Sequence, residues 1–396
     1  MGGKKKVEEV EEDNGMTRDE KLKAAFKRPD GESIADFALG VTLGQGTYGR
    51  VRMAESTKAK ELFATLPEEE KDDGTHGFFA IKILKKSEII RLKQVDHVKA
   101  ERDLLLHKVN HPFIVTALGS YKDERNLFLI LDYVPGGEML SACRRDASKF
   151  ENDVAKFYAA QLVMALQYLH ADNIIFRGLV PDNLLIDQKG YVKLVDFGFA
   201  KKVPLDPDGN AGNTYTLCGT AEYLAPEIVN SKGHGKGADW WALGVVIYEM
   251  LAGYPPFFAQ NPFEIYQAIL KATASYPAHF DVNLYEGIVP ATGAPAVVEA
   301  TGGTAPRTGL LPRLLQADRN KRIGCLKNGA EDIKKHKWFR GLNWAALYNK
   351  QMPSPLGPPD LEGPSDHHYF ATYPDSVEES GPFLESSKQA LFDFWT

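Results

Sequence analysis

The chain has 396 residues, 43% hydrophobic and 25% charged, with 47 basic and 53 acidic side chains and a net charge of −6. A single core stops growing near about 250–300 residues, so two lobes are expected, and the ordinary globular balance excludes a wholly disordered or collagen-like chain. The mild acidity argues against nucleic acid as a partner and suits basic peptides.

Residues 1–36 are rich in Lys, Glu and Asp and read as a solvated tail, with a helix expected around Arg18 to Phe26. From Phe37 the pattern becomes strand-like: Val41 to Leu43, a Gly-rich turn, then Val51 to Ala54. Residues 55–77 are polar and read as an inserted surface loop. A short apolar strand is expected over Phe78 to Leu84, and a helix over 94–108 from the spacing of Val95, Val98, Leu104 and Leu105. Leu127 to Val134 reads as a continuous apolar strand.

The second half changes character. Residues 153–170 predict an amphipathic helix with Phe157, Leu162, Ala165, Leu166 and Leu169 on one side. Residues 239–251 are apolar nearly all round, as in a helix buried in a large core. Residues 285–307, rich in Gly, Ala, Pro and Thr, read as a flexible insertion. The tail from 351 onward is Pro-rich and acidic and ends in aromatics. The fold class is therefore α+β, a small β-rich lobe followed by a larger helical one.

Gly44-Gln45-Gly46-Thr47-Tyr48-Gly49 is a GxGxxG. A dinucleotide fold needs a helix after these glycines, but Val51 to Ala54 alternates as a strand. Such a hairpin is either a plain turn or a cover whose backbone N–H groups lie over a triphosphate. Lys82, in Ala80-Ile81-Lys82, is either a snorkelling surface residue or a partner for α/β-phosphates. Glu101, on the next expected helix, is either an exposed carboxylate or the anion that fixes Lys82. Asp196-Phe197-Gly198 ends a strand, where a carboxylate suits a hard divalent cation, and Asn183 is a candidate second ligand. Ala225-Pro226-Glu227 follows.

Taken in order, these elements resemble the eukaryotic protein kinases across residues 37–339. Tyr133 to Glu138, Thr216 to Glu227 and Leu326 to Phe339 are similar to the AGC group, and within it to the cAMP-dependent kinases. The tail resembles an AGC extension, with Phe370-Ala371-Thr372-Tyr373 and the terminal Phe392-Asp393-Phe394-Trp395. The resemblance implies a bilobal kinase domain (small lobe about 37–134, large lobe about 135–339) and an extension over 340–396 that wraps the small lobe. It implies ATP and Mg2+ as cofactors. ATP would lie against Leu43, Gly44, Gln45, Gly46, Thr47, Tyr48, Gly49, Val51 and Ala80. Leu131 would control the pocket behind adenine, and Asp132 to Val134 would form the hinge. Lys82 would pair with Glu101, and Asn183 and Asp196 would hold the metal. Thr216 would be the activation-loop site phosphorylated by an upstream kinase, with Arg177 and His97 on its phosphate. Glu138, Asp182 and Glu249 match acids that bind arginines of a basic Ser/Thr peptide, and Leu217 and Leu224 match its apolar pocket. Glu227 and Arg322 match a structural ion pair.

The family's catalytic loop reads [HY]-R-D-L-K-P-E-N; here Phe176 to Asn183 reads F-R-G-L-V-P-D-N. Gly178 replaces the Asp that orients the substrate hydroxyl and accepts its proton. Val180 replaces the Lys that touches the γ-phosphate. The expectation is a Ser/Thr kinase with strongly impaired transfer, or else a pseudokinase scaffold or decoy that binds ATP and basic peptides. Tyr215 stands where the family usually has Trp, which weakens the case for a cyclic-nucleotide-binding regulatory subunit as partner.

Cys143, Cys218 and Cys325 are too widely spaced for a disulfide framework or a zinc cluster, as suits a reducing compartment. No apolar run approaches 18 residues, and the opening Met-Gly-Gly-Lys-Lys-Lys lacks a secretory core. Gly2 could be acylated, but Lys6 departs from the usual motif. A cytoplasmic protein that could also reach the nucleus is expected, without membrane attachment.

Overall fold

The computed structural model describes residues 17–26, 34–65, 77–141, 149–204, 212–285, 296–298, 308–374 and 382–395. Helix α1 (Arg18–Phe26) opens with a reciprocal cap: Thr17 N donates to Glu20 Oε2 at 2.8 Å, and Glu20 N donates to Thr17 Oγ1 at 3.4 Å. Leu22 and Phe26 are buried. The Phe26 ring lies 5.2 Å from Phe37 and 5.4 Å from Phe79, and Tyr121 Oη donates to Phe26 O at 2.7 Å. This part of the expected solvated tail is therefore packed, because its apolar spacing gives one buried face.

Five antiparallel strands form the small lobe: β1 (Phe37–Gln45), β2 (Gly49–Ser56), β3 (Phe78–Lys85), β4 (Ala117–Lys122) and β5 (Asn126–Asp132), in the order β1-β2-β3-β5-β4. The two-residue period sorts the faces. Phe79, Ile81, Ile83, Phe128 and Ile130 pack with α1 in an outer core, while Ala80, Leu84, Leu129 and Leu131 join the main core. Lys82 pairs in register with Leu129, so it points to the inner face.

Residues 55–77 are not simply a loop. Ser56 closes β2, and helix α2 (Thr57–Thr65) follows, its Ala59 and Phe63 buried in the outer core. Residues 66–76 lie outside the described residues. Helix α3 (Val95–His107) buries Val98, Glu101, Leu104 and Leu105, one face at helical spacing.

The large lobe is built on α4 (Asn152–Ala171) and α5 (Gly237–Ala252), the latter buried from Ala238 to Leu251. Between them run β6 (Ile174–Ile175), β7 (Leu184–Ile186), β8 (Val192–Leu194) and β9 (Lys201–Lys202), paired β6–β9 and β7–β8. Helix α6 (Pro262–Lys271) is capped by Asn261 Oδ1, which accepts from Glu264 N at 3.0 Å. β10 (Ala274–Tyr276) pairs with β11 (Ala296–Val298), so the segment read as an insertion contributes a strand; most of its remainder lies outside the described residues. Arg322 grips Glu227 with two buried hydrogen bonds of 2.7 and 2.9 Å.

The C-terminal segment returns to the small lobe. Tyr133 Oη donates to Asp366 O, and the Tyr133 and Phe370 rings stack at 6.1 Å. Phe392 and Trp395 are buried. Trp395 Nε1 donates to Phe128 O at 3.2 Å, Ser120 Oγ donates to Trp395 O at 3.2 Å, and Arg102 lies over the Trp395 ring. No described helix is long and apolar enough to cross a membrane.

Candidate functional site

The Gly-rich hairpin closes through Gly46 N donating to Gly49 O at 2.9 Å. Its glycines differ in purpose. A Cβ on Gly49 would lie 1.8 Å from Ile83 O, so close strand approach requires glycine there. A Cβ on Gly44 or Gly46 would meet no atom within 4 Å. Packing within the protein does not demand those two; they leave room where a ligand can approach the backbone.

Lys82 Nζ lies 2.6 Å from Glu101 Oε1 and 2.9 Å from Asp196 Oδ1. Burial opposes the ammonium, but Asp196 and Glu101 outweigh it and hold the Lys82 pKa above the ordinary lysine value. Burial pushes Glu101 up, against the pull of Lys82. Lys82 holds Asp196 below the usual carboxylate range. Asp196 sits in the left-handed region (φ 56°) just past β8, and Gly198 N donates to its Oδ1 at 3.2 Å. Phe197 is fully buried, its ring 5.1 Å from Phe176, and its N–H donates to Glu101. This inward Phe197 fixes the direction of Asp196.

Asn183 Nδ2 donates to Gly178 O at 2.8 Å, and Val195 N donates to Asn183 O at 2.9 Å. The amide oxygen of Asn183 and the carboxylate of Asp196 are the oxygen donors on offer. The described residues contain no group of three or more His, Cys, Asp or Glu side chains placed to hold a metal. A two-ligand site suits Mg2+, which takes its remaining ligands from phosphates and water.

Gly178 and Val180 occupy a well-held loop. Asp239, fully buried on α5, accepts from His170 Nε2 at 2.7 Å, Phe176 N at 2.9 Å and Arg177 N at 2.8 Å. The loop backbone is thus fastened from beneath, independently of side chains 178 and 180. Arg177 has φ 60°, and its Nε donates to Phe199 O at 2.7 Å.

Thr216 is exposed, as are Tyr215 and Leu217. His97 Nδ1 meets Gln94 Oε1 at 2.7 Å, and Arg177 uses Nε on Phe199 O while its buried Nη1 has no hydrogen-bond partner among the described residues. Among the peptide-binding candidates, Glu138 accepts from Ser141 Oγ at 3.0 Å, and Asp182 is exposed on the turn Pro181–Asn183. Glu249 is buried and accepts from Tyr223 Oη, and burial followed by Glu249 raises the Tyr223 phenol. Leu224 is buried. Leu131, Asp132 and Val134 lie where β5 leaves the small lobe. Sequence reasoning missed Asp239 and Tyr223. The signal for Asp239 was a carboxylate opening an otherwise apolar helix.

A five-stranded antiparallel lobe over a helical lobe, with a Gly-rich hairpin, a Lys–Glu–Asp constellation and a Glu–Arg clamp, defines a protein kinase fold. The chain matches the protein kinase domain over residues 37–339 and belongs to that family. It is 39% identical over 353 residues to "cAMP-dependent protein kinase catalytic subunit PRKX" of Homo sapiens, covering 89% of this chain and 85% of that protein. It is 42% identical over 342 residues to "cAMP-dependent protein kinase catalytic subunit 3" of Drosophila melanogaster (86% of this chain, 50% of that protein). It is 41% identical over 367 residues to "cAMP-dependent protein kinase catalytic subunit" of Dictyostelium discoideum (92% and 49%). The chain spans about half the length of these last two. It is a serine/threonine kinase family member similar to cAMP-dependent kinases.

Proposed function

We propose that this chain binds Mg-ATP and a basic Ser/Thr peptide in kinase geometry but transfers the γ-phosphate slowly. The observation that carries this reading is the loop at Gly178: its backbone is anchored by Asp239, yet position 178 carries no carboxylate. Lys82 would neutralise nucleotide phosphates, and Asp196 and Asn183 would hold Mg2+. The open space before Gly44 and Gly46 fits a ligand cradled by the hairpin. Bound Mg-ATP supplies the phosphoryl group and its charge neutralisation.

A positioned base contributes about 10²–10⁴ in rate, and a preorganised electrostatic donor about 10²–10³. Removing both groups need not multiply these losses, because residues serving one transition state act as a unit. Phosphoryl transfer rests largely on positioning and charge neutralisation, so residual transfer is physically consistent with the loop. Asp182 lies beyond Pro181 and better matches a substrate-binding acid than a replacement base. Glu138, Asp182 and Glu249 would receive a basic peptide, with Leu217 and Leu224 beside the acceptor.

A second reading, a non-transferring scaffold or decoy, is favoured by the joint loss of base and cation at Gly178 and Val180. Thr216 is the site for an upstream kinase. The relatives' names make a cyclic-nucleotide-binding subunit a candidate partner, and exposed Tyr215, in place of Trp, disfavours it. Single-turnover transfer to a basic Ser peptide, with Lys82→Met as control, separates the readings. Slow transfer abolished by Lys82→Met supports the impaired kinase; nucleotide binding without transfer supports the scaffold.

A further inference from the structure

Two buried nitrogens beside the activation segment have no hydrogen-bond partner among the described residues: Arg177 Nη1 and His234 Nε2. Buried polar atoms are nearly always paired, so two orphans in one neighbourhood point to a missing ligand. His234 is 1% exposed. It is clipped to the segment by its backbone: Thr214 N donates to His234 O, and His234 N to Thr214 O, both at 2.9 Å. This fixes His234 against the residue two before Thr216. Lys201 Nζ donates to Thr214 Oγ1 at 3.2 Å, and Lys201 pairs with Ile175, two residues before Arg177. Arg177, Lys201 and His234 therefore converge on the same stretch of the segment.

The charged groups that face His234 are Arg177, Lys201, Glu227 and Asp239. Arg319 donates to the adjoining Gly233 O at 3.2 Å. Glu227 is spent on Arg322, and Asp239 on His170 and two loop N–H groups. The charges left unspent are positive. Burial, then Arg177, hold the imidazole at about 4, so it is neutral near pH 7.

We propose that His234 is a phosphate ligand of the activation segment, donating Nε2–H to a phosphate on Thr216 alongside Arg177 Nη1. This rests on the reading of Thr216 as the modification site. A phosphate adds about −1.5 to −2 charges. It would cancel most of the positive charge of Arg177 and Lys201 and, accepting directly from Nε2–H, favour a proton drawn onto the imidazole from solvent. The latch would then respond to pH as well as to phosphorylation.

The test uses the full chain carrying phosphothreonine at position 216, installed during synthesis, beside the unmodified chain. The phosphate is titrated by 31P NMR and His234 is followed by 15N imidazole shifts. In the phosphorylated chain, His234 is expected to be cationic at about pH 6.5, the value near which a free histidine half-titrates. The phosphate should titrate about one unit or more below that of His234→Phe, a tenfold difference in proton affinity. His234→Gln keeps a donor but cannot gain a proton; it serves where His234→Phe fails to fold, and its phosphate should likewise titrate above wild type. If His234 stays neutral and its variants leave the phosphate titration unchanged while Arg177→Lys shifts it, His234 is not a ligand and the Thr216 reading stands. If the phosphate titrates like free phosphothreonine in wild type and Arg177→Lys alike, the Thr216 reading itself fails.

Discussion

Asp239 accepts the backbone N–H of Arg177 at 2.8 Å, one residue ahead of Gly178. A carboxylate buried on a central helix thus holds the loop whose own carboxylate is missing. Gly178 does not occupy the left-handed region, and a Cβ there would lie 3.3 Å from Asn183 Nδ2 and 3.5 Å from the Phe176 ring. The close contact is with the Asn183 amide that already donates to Gly178 O, so a restored side chain requires that amide to give by a few tenths of an ångström.

Gly178→Asp combined with Val180→Lys is expected to raise single-turnover transfer to a basic Ser peptide by at least about 10², or roughly 2.7 kcal/mol of barrier. Each single variant should gain less, since each introduces one charge without its counterpart. ATP affinity should change far less than the rate. A double variant as slow as wild type would show that the loop is altered beyond these two side chains.

Asp239→Ala removes an acceptor used by His170, Phe176 and Arg177. An orphaned buried donor costs about 1–3 kcal/mol, and two backbone donors lose their partner together. Urea denaturation should show a loss of at least about 3 kcal/mol. A midpoint close to wild type would mean that water or another acceptor replaces Asp239.

Mg-ATP at 100 times its dissociation constant should stabilise the fold by about 2.7 kcal/mol. Asp196→Ala should remove most of the magnesium dependence. Lys82→Met should weaken nucleotide binding and also leave Glu101 buried without its cation. Thermal melting with and without nucleotide checks all three, and an unchanged wild-type melt would remove the ATP assignment.

His111 is held at about 4 by burial and by Lys193, and His234 at about 4 by burial and Arg177. The unfolded chain binds protons at these positions below about pH 6.5, whereas the folded chain resists until about pH 4. Stability should therefore fall with decreasing pH across that window, by up to about 1.4 kcal/mol per unit for each histidine. His111→Phe should flatten part of this slope in pH-dependent melting curves. An equal slope in the variant would assign the acid sensitivity to other groups.

The main helices and strands were legible because their patterns are strong, as in Val98, Leu104 and Leu105 of α3 or the nearly all-apolar α5. The Lys82–Glu101–Asp196 constellation was legible as an ordered set of motifs. Its geometry was not, because Asp196 lies 114 residues from Lys82. α2 was missed because its burial depends on Ala59 and Phe63 meeting a sheet face contributed by distant strands. α1 was placed correctly but its packing was not, since only two apolar residues engage the outer core. Asp239 escaped notice because two of its three partners are backbone N–H groups, which leave no residue-type signature, and the third, His170, lies 69 residues away.

Trp395 sits on a surface formed by Ser120, Phe128 and Arg102, with 275 residues separating it from Ser120. Synthesis at about 5–20 residues per second puts roughly 14–55 seconds between the two ends of that contact. Until then the surface that receives Trp395 stays uncovered. The docking of Phe392 and Trp395 is therefore a late event in synthesis relative to the strands that receive them.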